Sequence, residues 1–346
     1  MKKKITYTLN VLLIVAIGFA TLKLIFNDGG LKTFMHDFNQ SNKVWLIIGI
    51  LLVLLFVCSE SVIIKYMLKM FNTKVPLLRC IKYSFIGFFF SYITPSATGG
   101  QPAQIFYMKK DGIKIGYSTL IMMVIAFTYK LVLVLLGLIF IIFKFSAMCG
   151  YMGKLIWLVI VGFVLNLAFI SVLAMLIIKP EWMRSMGIKV INLLSKIRII
   201  RNTERFVNKI NRICDNYSIC ANYIKENLGA VVKIMLITAV QRIFLFAVTF
   251  VVYKSYGLSG ISFFDIIAIQ TLIAVAVEML PVPGAAGITE GCFLSMFAPV
   301  FGDRYIKSGM LLSRGISFYV LLIVGAIVTA IAHLIMARKD MKKQKA

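Results

Sequence analysis

The sequence predicts an all-α, polytopic membrane protein, and three observations carry that prediction. Of its 346 residues 60% are hydrophobic and the mean hydropathy is +0.93, which leaves too little polar surface for a soluble domain of this length. Several apolar runs exceed the roughly 20 residues that cross a bilayer. The 38 lysines and arginines, which give a formal net charge of +25, cluster in the loops between those runs. Placed there they read as orientation signals and contacts to anionic lipid. No basic–aromatic domain stands apart, so nucleic acid is not an expected partner.

About six full spans follow in order, roughly Ile5–Phe26, Val44–Ile64, Tyr117–Phe143, Leu155–Ile178, Ala230–Tyr253 and Ser308–Met336. The first could be mistaken for a secretory signal; its apolar run is too long and lacks a small-residue cleavage site, so it reads as an anchoring helix. Two further apolar regions, Ser84–Met108 and Phe263–Phe301, break at proline–glycine clusters and then resume. Each goes in and comes back, as a re-entrant pair or as two short helices. The segment 179–229 spaces apolar residues helically among basic ones, as in one or two amphipathic helices lying on the inner leaflet.

The positive-inside rule sets the orientation. With Lys2, Lys3 and Lys4 in the cytoplasm, the basic loops around Lys65–Lys82 and Lys109–Lys114, the 179–229 segment and the basic C-terminal end all fall inside. Both termini are then cytoplasmic and the membrane is the cell membrane. The first broken hairpin enters from the inside and the second from the outside.

The two breaks, TPSATGGQPAQ (Thr94–Gln104) and LPVPGAAGITEG (Leu280–Gly291), share a plan of proline, small residues, glycine and a polar side chain. Opposite orientation and a common plan make them an inverted repeat, with one half at about 44–143 and the other at about 230–336. Unwound backbone cannot be left bare in lipid, so it lines a wet cavity or is buried in protein. Ordinary loops between short helices would explain one such break; two matched ones favour a binding cavity. The candidate lining is Thr94, Pro95, Ser96, Thr98, Gly99, Gly100, Gln101 and Gln104 from the first break, with Pro281, Pro283, Gly284, Gly287, Thr289 and Glu290 from the second.

Charges within apolar runs add Glu60, Lys130, Arg242, Glu278 and Arg314, with Gln241 beside Arg242. A charge at the bilayer centre costs about 2.5–3.5 kcal/mol on insertion scales, so each faces a cavity or pairs with another. Two readings stay open. The pairs staple helices together, or Lys130, Arg242 and Arg314 neutralise an anionic group such as a lipid phosphate, which the planar guanidinium suits. The carboxylates would hold those cations or meet a cationic headgroup.

The six cysteines form no CxxC pair and only two histidines are present, so no metal site and no cofactor are expected. No GxSxG, HExxH, Walker A or GxGxxG pattern stands in a credible context.

TPSATGGQP followed by Lys109-Lys110, and PVPGAAGITEG late in the chain, resemble the lysylphosphatidylglycerol synthase transmembrane-domain family, the flippase half of the multiple peptide resistance factor. The resemblance covers about Lys4 to Arg338. It implies a membrane domain that moves aminoacylated phosphatidylglycerol between leaflets, with a phospholipid as partner. In that family a separate C-terminal cytosolic domain transfers lysine from tRNA to the lipid. This chain ends soon after its last span, so no lysyltransferase activity is expected of it alone. Ala285 and Thr289 stand where family members often carry glycine and a basic residue, which leaves the headgroup preference open. Two rival functions remain, the membrane subunit of a lysyl-lipid synthase whose catalytic domain is a separate chain, and a transporter of another polar or isoprenoid-phosphate lipid. Self-association is left open as well.

Overall fold

The computed structural model describes residues 30–196 and 227–345, with scattered positions between 204 and 226. The span expected at Ile5–Phe26 and much of the 179–229 segment lie outside the described residues. Within them the chain is an all-α polytopic membrane protein. Five helical stretches are long and apolar enough to cross a bilayer, at Lys43–Met70, Ile115–Phe145, Met148–Ile178, Leu228–Ser255 and Ala298–Met336.

The described chain starts with an element that the hydropathy profile does not reveal, α1 (Gly30–Gln40). Its half-buried Phe34 and Phe38 lie one turn apart, and Asp37, 1% exposed, accepts from Ser308 Oγ at 2.6 Å. Then come α2 (Lys43–Met70), capped by the Asn42 side chain at Val44 N, α3 (Leu77–Tyr92) and α4 (Gly100–Lys110). α5 (Ile115–Met152) bends at Lys144, and α6 (Ile156–Ile178) leads into α7 (Pro180–Lys196), the described part of the amphipathic segment. α8 (Leu228–Ser255), α9 (Phe263–Val277), α10 (Ile288–Met296) and α11 (Ala298–Arg314) follow. A π turn, Gly315–Val320, joins α11 to α12 (Leu321–Lys345). The last apolar stretch therefore begins at Ala298, ten residues before the expected Ser308; α11 kinks at the non-helical Gly302, and Asp303, Arg304 and Lys307 after it interrupt the hydropathy.

Hydrogen bonds fix how the two broken segments enter. Asn42 N donates to Ser255 O at 2.8 Å, so the start of α2 sits beside the end of α8 and the two helices run antiparallel. The α3–α4 hairpin leaves from the Met70 end of α2. The α9–α10 hairpin leaves from the Ser255 end of α8, at the other end of that helix pair. An ion pair from Lys144, near the end of α5, to Asp265, in the first turn of α9, marks the same end. The hairpins therefore leave from opposite ends of the α2–α8 pair.

Their tips repeat one conformation. Pro95 and Pro283 bridge each other as antiparallel β partners. Left-handed φ values follow at Ser96 and Ala97 (49° and 56°) and at Gly284 and Ala285 (59° and 48°). Helix resumes five residues after each bridging proline, at Gly100 and Ile288. Proline lacks the N–H that would continue a helix and pushes its predecessor towards extended backbone, so both apolar runs break at matching places. The restarting helices are capped differently. Gly99 N donates to Thr94 Oγ1 at 2.8 Å, and Gly287 N donates to Glu290 Oε2 at 2.6 Å.

Each hairpin's first limb docks at a glycine of a helix outside its own half. A Cβ on Gly325 of α12 would lie 2.9 Å from Phe89 Cβ on α3, and one on Gly162 of α6 would lie 2.2 Å from Val275 O on α9. α9 is buried almost all round, which is why it reads as a uniform apolar run rather than an amphipathic one.

At the mouth of the first hairpin Asp111 accepts from Lys82 Nζ at 2.5 Å and Tyr83 OH at 2.6 Å. Partial burial works against its ionisation, but the two hydrogen bonds and the charges of Lys82 and Arg79 outweigh it and hold the carboxyl below its usual value. A carboxylate so depressed contributes stability at neutral pH that fades as pH falls through the folded value. Asp111→Asn should therefore cost about 1–2 kcal/mol at pH 7, and the gap to wild type in thermal unfolding should close below about pH 4.

Candidate functional site

The joined tips wall a cavity of about 710 Å³. Aromatic side chains make its apolar side, including Phe56, Phe88, Tyr92, Tyr129, Phe246 and Phe318. Of the residues expected from sequence, Glu60, Ser96, Thr98, Gln101, Gln104, Lys130, Glu278, Gly284, Thr289 and Arg314 line it. Exposed Ala97, Thr98 and Pro102 lie on its rim.

The charges are organised by the second hairpin. Glu278, one residue beyond α9, accepts from both terminal nitrogens of Arg242 and from Lys130 Nζ, the last at 2.8 Å. Arg242 also donates to Tyr129 O at 3.1 Å and lies 3.4 Å over the Tyr129 ring, a cation–π contact that helps a desolvated guanidinium. Glu290 uses one oxygen to cap α10 and the other to accept from Arg314 Nε at 2.8 Å. Arg314 further donates to Gly284 O at 3.2 Å and sits 4.4 Å over Phe318.

Arg242 thus departs from the expectation that it meets a ligand. Its side chain is 0% exposed and stands behind Glu278 and Tyr129, which face the cavity in its place. Lys130 and Arg314, each 13% exposed, do line the cavity. One of three ammonium donors and two of five guanidinium donors are used in the bonds above, so both cations keep donors for a ligand. The wall is also not a bare cationic surface. Lys130 and Arg242 share one carboxylate for a local charge of +1, and Arg314 with Glu290 sums to zero.

The other expected residues build the wall without facing the cavity. Pro95 and Pro283 form the bridge; Thr94, Gly99, Gly287 and Glu290 cap the restarting helices. Gly100 lets α3 and α4 cross, since a Cβ there would lie 2.1 Å from Ser91 Oγ. Pro281 is exposed on the approach to the second tip. Gln241 is buried, with neither amide atom bonded to a described residue.

Sequence reasoning missed Tyr92, Tyr129, Phe318 and Gln270, all of which line the cavity. Gln270 had a signal, since it is the lone amide within the apolar run of α9, where its Nε2 donates to Thr249 Oγ1. The aromatics had none beyond nearness in sequence to Lys130, to Arg314 or to a break. No group of three or more metal-ligating side chains occurs among the described residues.

No curated protein matches the sequence. Residues 9–325 match the family described as the lysylphosphatidylglycerol synthase TM region, and the match includes both breaks, both hairpins and every charge in the cavity wall. With nearly the whole chain so covered, this protein belongs to the lysylphosphatidylglycerol synthase TM region family.

Proposed function

We propose that the protein is a flippase-like carrier that moves an anionic or aminoacylated phospholipid, such as lysyl-phosphatidylglycerol, between the leaflets of the cell membrane. One observation carries this reading. A cavity with an aromatic side and two cations that retain hydrogen-bond donors lies where two oppositely oriented hairpins meet. Its volume, about 710 Å³, lies in the range of ligand pockets. Arg314 offers a planar fork and Lys130 a point charge, the two groups that bind phosphate. The aromatic side suits the glycerol and first acyl carbons. The halves at about 44–143 and 230–336 act as the two arms of the carrier, with both termini in the cytoplasm. The family supports a phosphatidylglycerol-derived cargo.

The test is translocation of fluorescent phosphatidylglycerol and lysyl-phosphatidylglycerol, read by quenching of outer-leaflet label in phosphatidylethanolamine–phosphatidylglycerol proteoliposomes. Wild type should exceed protein-free vesicles. Arg314→Ala and Lys130→Ala should slow movement about ten-fold or more, the loss expected for one charge-assisted phosphate contact. Rates equal to protein-free vesicles for every phospholipid would reject the reading.

A further inference from the structure

Three carboxylates stand in or beside the cavity wall within the membrane, and only two are matched by cations. Glu278 holds Arg242 and Lys130, and Glu290 holds Arg314. Glu60, 7% exposed, faces the cavity from α2. Its partners are neutral. Gln104 Nε2 donates to Glu60 Oε1 at 2.7 Å, and Ser84 lies within hydrogen-bonding reach. No cation among the described residues forms an ion pair with it.

The cations around Glu60 are committed elsewhere. Two tyrosines, Tyr92 from α3 and Tyr129 from α5, line the same cavity. Lys130 from α5 is bonded to Glu278 beyond α9, as is Arg242 from α8, and Arg314 from α11 is bonded to Glu290. A membrane carboxylate that opens on a cavity and lacks a counter-ion is best satisfied by a proton.

Its bonding partner links that proton to the first hairpin. The second hairpin is clamped by the three ion pairs of Glu278 and Glu290. The first hairpin contributes no charged residue to the cavity wall. It is held there by neutral contacts, with Ser96 Oγ donating to Leu280 O at 3.3 Å and Tyr92 OH to Ser317 O at 3.5 Å. Its second limb, α4, bonds Glu60 through Gln104, which is wedged against Gly87 so that a Cβ on that glycine would lie 2.4 Å from Gln104 Cδ. An amide donating to a carboxylate binds about twice as strongly as one donating to a neutral carbonyl. Protonation of Glu60 therefore weakens the grip on α4.

We propose that Glu60 is a proton-binding site of the cavity and that its proton loosens the first hairpin, so that the carrier's moving arm is set by protonation. This rests on the carrier reading for its purpose but not for its test. Infrared difference spectra of the reconstituted full chain, recorded between acidic and alkaline buffer, should show a protonated-carboxyl carbonyl band that Glu60→Gln removes and Glu290→Gln leaves in place. Hydrogen–deuterium exchange should then find the Gly100–Lys110 amides exchanging about five-fold faster in Glu60→Gln than in wild type at the same alkaline pH. That acceleration should shrink at acidic pH. A band that persists in Glu60→Gln, the lack of any titrating carboxyl band, or equal exchange in the two proteins would overturn the proposal. Neither readout needs a transported lipid, so failure of lipid movement in the vesicle assay would leave this result standing, and the reverse holds too.

Discussion

Replacing Glu278 with glutamine should lower unfolding free energy by about 3–5 kcal/mol, the cost of removing one partner from a buried ionic cluster. Glu278 is the shared acceptor of Arg242 and Lys130. Glutamine keeps the shape of the side chain but leaves two cations, Lys130 in the wall and Arg242 behind it, with no counter-charge. Lys130 can escape by releasing its proton. Arg242 cannot, because a guanidinium stays protonated in proteins, and its side chain has no exposure through which to recruit water. The double variant Arg242→Met/Glu278→Gln should recover much of the loss, since removing both partners of a buried pair costs far less than removing one. Thermal unfolding in detergent checks both statements. A Glu278→Gln protein as stable as wild type would show that the cluster is solvated and that Arg242 is not held by it.

Gly284→Ala should cost about 3 kcal/mol and disconnect the two tips. The backbone contributes the smaller part. At φ 59° an L residue is disfavoured by about 1–2 kcal/mol, yet Ser96 adopts the same region at the matching position of the first tip. The larger part is steric. A Cβ would stand 2.5 Å from Phe318 Cε2 and 2.7 Å from its Cζ, and overpacking of this kind adds about 1–3 kcal/mol. Phe318 has little room to yield, being 3% exposed and 4.8 Å, centroid to centroid, from Tyr92. The strain falls on the carbonyl that receives Arg314 and on the neighbouring Pro95–Pro283 bridge. Gly257→Ala is the control, because Gly257 shares a left-handed φ of 71° but a Cβ there meets nothing within 4 Å. It should lose only the backbone share, about 1–2 kcal/mol. Equal losses at the two glycines would mean that Phe318 moves aside and that the tip contact is soft.

Much of this site was legible because membranes make polar groups conspicuous. A glutamate inside Val44–Ile64, or a glycine–proline cluster inside an apolar run, has to be satisfied by something, and the energetic cost of leaving it bare makes it stand out. Tyr92, Tyr129 and Phe318 carry no such cost. In a chain with 27 phenylalanines and 14 tyrosines an aromatic facing the cavity looks like one facing lipid. The α1 helix escaped notice for a related reason. The helix is only 11 residues long, too short to stand out as a span, and its anchor is an aspartate whose partner, Ser308, is 271 residues away in sequence.

The sequence by itself determined the class of the protein, where its apolar runs break, the opposed entry of the two broken segments and the set of charges that must find partners. These follow from one-dimensional quantities, namely run length, proline and glycine placement, and the sidedness of lysine and arginine. Tertiary structure decided how the charges were shared out. Glu278 takes two cations and Glu290 one, which draws Arg242 behind the wall, leaves Lys130 and Arg314 facing the cavity, and gives Glu60 only an amide and a hydroxyl. Pairing within a membrane depends on which side chains come within about 3 Å of one another across helices, and no spacing along the chain encodes that distance.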